Sequence, residues 1–415
     1  RPGRRDQQRL PLANLPGAVA GDGTSADFSA LAIDLGAGGQ LEGDGQWRDG
    51  RFSLALASPN LNLAGLHRDL YATRLRTTLR LAGDPAAQTL NAEVAESWGQ
   101  GRFTLVHADA ALRLEAADFA GQAGRLTASG VLHLDAGRAF SAEFDAAQIN
   151  PARFGAFPRG RLNARGKVSG ALAPELQLQT QFTLPPGTLE GRPVKGQGRL
   201  HYERRHLADA DVDVDLAGNR ARLKGAYGRA GDRLTWDVDA PALDRLNLGL
   251  AGRLKSRGSA SGEPARPQVE GTLAASRLRL RDAFAAETLN LQLELQAAAD
   301  GAFNGELDAR GVMLGGQRLS VVQATAEGRR DAHTLALDVR MPDWRLTAAL
   351  AGGLDARQVW RGQLRQAEAQ GRWPMVLTAP ATLVLSREVQ QVDNLRLTLA
   401  GGRVTLDHFS RQGTQ

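Results

Sequence analysis

Cysteine is absent from this 415-residue chain, and aromatic residues make up only 5% of it. Without thiols there is no disulfide framework, no cysteine nucleophile and no cysteine-ligated metal. The compartment stays open, because an oxidising one permits disulfides without requiring them. So few rings leave little bulk to fill a thick core. Long apolar runs are missing as well: no stretch reaches the ~18 apolar residues that a membrane-spanning helix needs. The first residue is Arg1, with no initiator methionine, apolar leader or cleavage site behind it. Arg1 and Gln415 are therefore expected to be cuts through a longer protein, and any anchor to lie outside them. The formal charge is +6, from 51 basic and 45 acidic residues, and the basic ones are nearly all arginine. They are spread along the chain rather than clustered and interleaved with aromatics, which reads as a solvated outer face and not as a nucleic-acid track.

What is present is alternation. Val212, Val214 and Leu216 sit between Asp211, Asp213 and Asp215, and Leu289, Leu291, Leu293 and Leu295 alternate with Asn290, Gln292 and Glu294. Leu335, Leu337, Val339 and Met341 do the same, as do Leu395, Leu397 and Leu399. Successive side chains of a strand point to opposite faces, so each segment has one apolar and one wet face. Such segments recur roughly every 8–15 residues, a spacing of extended all-β architectures rather than of βαβ units. Turn formers join them, among them Ala217-Gly218-Asn219, Gly231-Asp232, Gly301, Gly315-Gly316, Gly352-Gly353 and Gly401-Gly402. Links this short favour antiparallel neighbours.

Helix signals are thin. Asn150 offers an N-cap before Pro151, which predicts one short turn, and residues 64–74 around Leu66 and Leu70 suggest another. The segment 256–267 is the most linker-like in composition. The expected organisation is an edge segment over 1–29, a first sheet stretch over 30–255, a loop or linker over 256–267, and a second sheet stretch over 268–415.

Catalytic patterns do not emerge. The histidines His67, His107, His133, His201, His206, His333 and His408 are scattered and read as exposed strand residues; His201 and His206 fall on opposite faces of a strand and make a poor metal pair. Asp211, Asp213 and Asp215 share a face, as the wet side of an alternating strand does, and a hard-cation or acid/base role is the lesser reading. Gly36-Ala37-Gly38-Gly39 lacks the helix a phosphate cradle must open, since Leu41 to Trp47 reads as more strand and turn. No serine stands in a nucleophile elbow. The expectation is a non-enzyme with no catalytic residue, no metal ligand and no cofactor.

An apolar sheet face must be covered. With helices nearly missing and a lining of Leu, Val and Ala, the expectation is a sheet curled into an elongated gutter that offers leftover apolar surface to something long and greasy. Acyl chains suit it, because burying each methylene is worth ~0.8 kcal/mol without directional demand. The residues expected to line it are Leu54, Leu56, Leu79, Leu105, Leu178, Phe182, Val212, Val214, Leu216, Trp236, Leu291, Leu293, Leu337, Val339, Leu385 and Leu397. A single bulge would flip the face of a segment.

Asn150-Pro151-Ala152-Arg153-Phe154, then Gly160-Arg161-Leu162-Asn163, Gly166 and Gly170, resemble the AsmA-like proteins of Gram-negative envelopes, and among them the TamB-like inner-membrane subunits of the translocation and assembly module. Further likeness lies in residues 189–200 and 218–225, in Pro267-Gln268-Val269-Glu270-Gly271-Thr272-Leu273, in Trp360-Arg361-Gly362-Gln363-Leu364 and in Pro380-Ala381-Thr382-Leu383. The likeness is diffuse and covers about residues 30–407; the order of strand edges and turns carries it, not one motif. It implies an all-β, elongated, curled and mostly antiparallel sheet forming a taco-like hydrophobic groove with very little helix. It also implies an N-terminal inner-membrane anchor, passage through the periplasm, phospholipid traffic between the membranes, and work beside a TamA-like outer-membrane barrel. The chain is expected to be the middle of such a conduit, with anchor and barrel contacts in regions outside it. Two other expectations compete: a chaperone scaffold that templates strands of outer-membrane barrels or autotransporters along its sheet edges, and an extracellular β-solenoid, for which the strict repeat and clustered carboxylates are missing.

Overall fold

Two-residue turns set the grain of the fold. In the computed structural model, which describes residues 13–15, 17–66, 71–281, 283–298 and 300–412, Glu190-Gly191 and Ala217-Gly218 have both φ angles positive, at 50° and 74° and at 56° and 82°. That is the primed geometry whose twist matches the strands it joins, and it explains why glycine takes the second place. Chains turned this way run antiparallel to the strand just left.

The residues form two compact units, Arg1–Arg204 and Arg205–Gln415. In the first, two short strands, Ala13–Leu15 and Ala18–Gly21, pair with Ser25–Asp34. Each later strand then pairs with the next as far as Arg192–Glu203. In the second, His206–Leu216 begins the same meander, which runs to Trp360–Gly371. There Pro380, which has no N–H to give a ladder, divides the next strand into Met375–Ala379 and Ala381–Leu385. Both halves pair with Val389–Leu399, and that strand pairs with Gly402–Gln412. Among the described residues every pairing is antiparallel, and the first and last strands of a unit do not pair with each other. Each sheet is therefore curled but open. The all-β reading with very little helix holds.

The departures from the sequence reading are local. Residues 256–267 are no loop: Leu250–Glu263 and Arg266–Leu280 are long paired strands with a tight turn between them. Ser, Gly and Arg there alternate between faces and only look like linker composition. Gly352-Gly353 lies inside Trp344–Leu354 instead of in a turn. Around 64–74 a single helical turn forms at Leu63–Leu66, and Leu70 lies outside the described residues. Pro151 opens a 3-10 turn, Pro151–Arg153, but Asn150 does not cap it; its side-chain oxygen accepts the Gly160 N–H at 3.2 Å, tying the two ends of the link together.

Apolar residues gather in a few clusters, some under a helical turn and some among strands alone. In the first unit Leu66 packs on Gly38, beside buried Leu35, and Leu41 and Leu75 are buried as well. Trp98, Phe119 and Phe154 form a second knot, with ring centroids 5.3–5.5 Å apart. In the second unit the 3-10 turn Leu243–Leu246 covers Ala240, Ala275 and Leu278, and Ala286, Ala309 and Val312 form a neighbouring cluster.

Candidate functional site

Residues directly opposite in an antiparallel pair share a face, so register shows which side chains form one surface. In the first unit Leu56 faces Leu79, and the row continues through Ala92, Phe103, Ala117, Ala128, Phe144 and Gly166 to Phe182. Beside it Leu54 leads through Leu81, Leu90, Leu105, Leu114, Gly130 and Ala142 to Val168. Leu178 lies on the same face, between Gly170 and Tyr202. The bulge opposite Thr104 and Leu105 absorbs Glu115 without turning either row over.

The second unit is built alike. Val212 faces Leu223, and the row runs by Trp236, Gly258, Gly271, Leu293, Gly305 and Ala326 to Leu335. Val214 begins its neighbour, through Ala221, Val238, Ser256, Leu273, Leu291, Leu307 and Ala324 to Leu337. Leu216 pairs with Asn219, Val339 with Val322 and Leu346, Leu385 with Trp360, and Leu397 with Leu377 and Val404.

None of the sixteen residues singled out from the sequence is buried. Leu385 is exposed at 38% and the rest are half-buried. A leucine in a filled core would touch neighbours on all sides; these keep part of their surface accessible. A depression of about 590 Å³ in the first unit is lined by Ala117, Ala128, Phe144, Gly166 and Phe182 of the first row together with Glu115, Asp118, Glu143, Asp145, Arg165 and Lys167.

The opposite face is a charge ladder. Asp211, Asp213 and Asp215 stand across from Lys224, Arg222 and Arg220, the arginines across from Asp237 and Asp239, and these across from Arg257 and Lys255. Arg220 Nε donates to Asp213 Oδ1 at 2.6 Å and its Nη2 to Oδ2, while Arg257 meets Asp237 at 2.8 Å. The Arg220 bonds hold the Asp213 carboxyl below the usual carboxylate range. The aspartates are thus partners of arginines in a solvated ladder, and no group of three or more His, Asp or Glu that could hold a metal ion occurs among the described residues.

Two histidines differ from the exposed strand residues expected. His206 is buried and its Nε2 lies 2.9 Å from Asp232 Oδ2. His333, also buried, accepts the Trp360 indole N–H on Nε2 at 2.8 Å and contacts the Arg329 carbonyl through Nδ1 at 2.9 Å. That pattern fixes the neutral ring with the proton on Nδ1. Both act as staples at sheet ends. His67 lies outside the described residues.

Sequence reading missed the role of the glycines inside strands. A Cβ on Gly258 would fall 2.2 Å from Trp236 Cζ2, and one on Gly352 2.7 Å from Trp360 Cζ2. The only signal was a glycine within an alternating run, which composition alone assigns to turns.

No helix among the described residues is long and apolar enough to cross a membrane. Compared with known families, residues 52–394 match the family described as TamB, N-terminal domain.

Proposed function

We propose, for a chain that belongs to the TamB family, that its apolar face is a track for phospholipid acyl chains passing between the inner and outer membranes. The family is one of transport and assembly at the outer membrane, with members anchored in the inner membrane and spanning the periplasm, and it is not known for catalysis. Within that setting the observation that carries the reading is the pair of apolar rows in each unit, whose large side chains stay half-buried and which only Ser256, in the second unit, interrupts. An acyl chain laid along them buries hydrocarbon at ~0.8 kcal/mol per methylene and meets no polar site that would fix its position, so it can move. Phospholipid head groups would stay in water, and the inner membrane and a TamA-like barrel would be reached through other parts of the protein.

A second reading is a scaffold that guides outer-membrane barrel or autotransporter insertion by strand templating. It is favoured by the family's place in outer-membrane assembly, where a sheet edge can take an added strand.

One experiment separates them. A photoreactive phenylalanine at Leu293 or Leu337 should crosslink to lipid in the envelope, with mass spectrometry of organic extracts identifying it. Leu293→Asp should abolish the lipid adduct at Leu337 while the variant stays folded. Adducts to polypeptide alone would replace the track by the scaffold.

A further inference from the structure

Large rings on the apolar face lie down rather than stand up. The Cβ that Gly258 lacks would sit 2.2 Å from Trp236 Cζ2 and 2.6 Å from Cη2, and that of Gly271 would sit 3.0 Å from the same Cζ2. The benzo half of the indole therefore crosses two neighbouring strands where neither has a side chain. Its Nε1–H donates to Ser256 Oγ at 3.1 Å, so the ring's one donor is taken and its hydrocarbon face is what remains. Phe144 over Gly166 in the first unit, with ring carbons 3.0 Å from the missing Cβ, has the same design. An indole occupying the same row upright would fill the space that an acyl chain uses.

We propose that Gly258 and Gly271 form a seat that keeps Trp236 flat, and that the seated ring sets the clear depth of the second unit's apolar face, admitting extended unbranched hydrocarbon chains and disfavouring methyl-branched ones. The inference rests on the acyl-track reading. Gly258 cannot be varied cleanly, because its Cβ would also meet the Glu270 carbonyl at 2.4 Å. Gly271 is the milder site: its closest contacts are Trp236 Cζ2 and the Arg257 carbonyl, both at 3.0 Å. A larger residue there lifts the ring.

The test uses the purified chain and cis-parinaric acid, whose fluorescence rises in apolar surroundings, with palmitic and phytanic acids as linear and branched competitors. Gly271→Val should weaken cis-parinaric acid binding about tenfold, the equivalent of losing contact with one or two methylenes. Gly271→Val combined with Trp236→Ala should restore it. Trp236→Ala alone should let phytanic acid compete as well as palmitic acid. Far-UV circular dichroism checks folding, and Gly271→Ala supplies a milder intrusion should the valine variant misfold. Binding by a folded Gly271→Val variant within about twofold of the parent, a double variant no better than Gly271→Val, or an unchanged linear-to-branched preference in Trp236→Ala would each overturn the seat while leaving the track in place. A parent chain that takes up no cis-parinaric acid would overturn the track, and the seat with it.

Discussion

The strand Arg266–Leu280 crosses two different environments. At one end Ala275 and Leu278 are buried, because the 3-10 turn holding Leu243 and Leu246 lies over them. A few residues earlier on the same face Gly271 lies under the edge of the Trp236 ring and Leu273 borders the covered cluster, and both stay half-buried. The strand is the same in both places, with a bulge before Leu278 that keeps it on the apolar side. What changes is the cover. Alternating leucines therefore make a face that could be core or surface, and short non-strand segments decide which. The strands supply the apolar rows, while the few helical turns consume them only at the ends.

That comparison predicts unequal costs for the same kind of truncation. Leu243→Ala removes the cover's central side chain, 5% exposed, and should destabilise the second unit by about 2–4 kcal/mol, as cavity formation in a core does. Urea unfolding followed by circular dichroism measures it. A loss as small as that of a half-buried leucine would mean that the turn is not the cover it resembles.

The next effect belongs to the other kind of closed end. Trp360 lies over Gly352 and Gly362 and gives its N–H to buried His333, whose ring is 4.4 Å from that of Phe303. Trp360→Phe keeps most of the ring but leaves His333 Nε2 without a donor. An unsatisfied buried acceptor costs about 1–3 kcal/mol. His333→Phe in the Trp360→Phe background should recover part of that loss, and the double-mutant cycle reads the coupling.

How much of this was legible from the residues follows from the same contrast. Period-two alternation in Val212 to Leu216 or Leu289 to Leu295 reports faces, and register obeyed it, since slipping by one would put every aspartate on the apolar side. Alternation says nothing about cover, because Leu243 and Leu246 carry no strand period and sit in a segment that reads as loop. Glycine misled for a related reason. Gly191 and Gly218 do turn the chain, whereas Gly258, Gly271 and Gly352 are there for a ring one or two strands away, a non-local demand that neighbouring residues do not encode. The same applies to Ser256–Glu263: its serines and glycines look like a linker until Trp236 and Glu270 are seen beside them, with Ser256 bonding the indole and Ser259 the carboxylate.

Truncating an uncovered leucine should matter less for stability and more for binding. Leu291→Ala removes a half-buried side chain that no element covers, so a loss of about 1 kcal/mol or less is expected in urea unfolding. The same variant should reduce cis-parinaric acid binding, whereas Leu243→Ala, at temperatures where it stays folded, should not. An equal stability loss at Leu243 and Leu291 would erase the distinction between covered and uncovered face.

The smallest effect concerns the polar side, where cover is not at issue. Asp338 accepts from Arg345 at 2.8 and 3.0 Å and from Arg340 at 2.8 Å. Those bonds, Arg345 first, hold its carboxyl well below the usual carboxylate range, and Arg220 acts likewise on Asp213. A carboxylate whose pKa is lower folded than unfolded contributes its stability above the unfolded value and loses it as pH falls through the folded one. The contribution of these pairs should therefore be flat from neutrality down to about pH 4, the unfolded range, and decline below it. Because these pairs face water, each contributes little and is screened by salt. Asp338→Asn should lower stability slightly at pH 7 and shrink the difference between pH 7 and pH 3, with 1 M salt reducing both effects. Thermal melts of the parent and variant at the two pH values measure this. A variant that kept the full acid sensitivity of the parent would show that other carboxylates govern it and that the Asp338 pairs follow the strand pairing rather than supporting it.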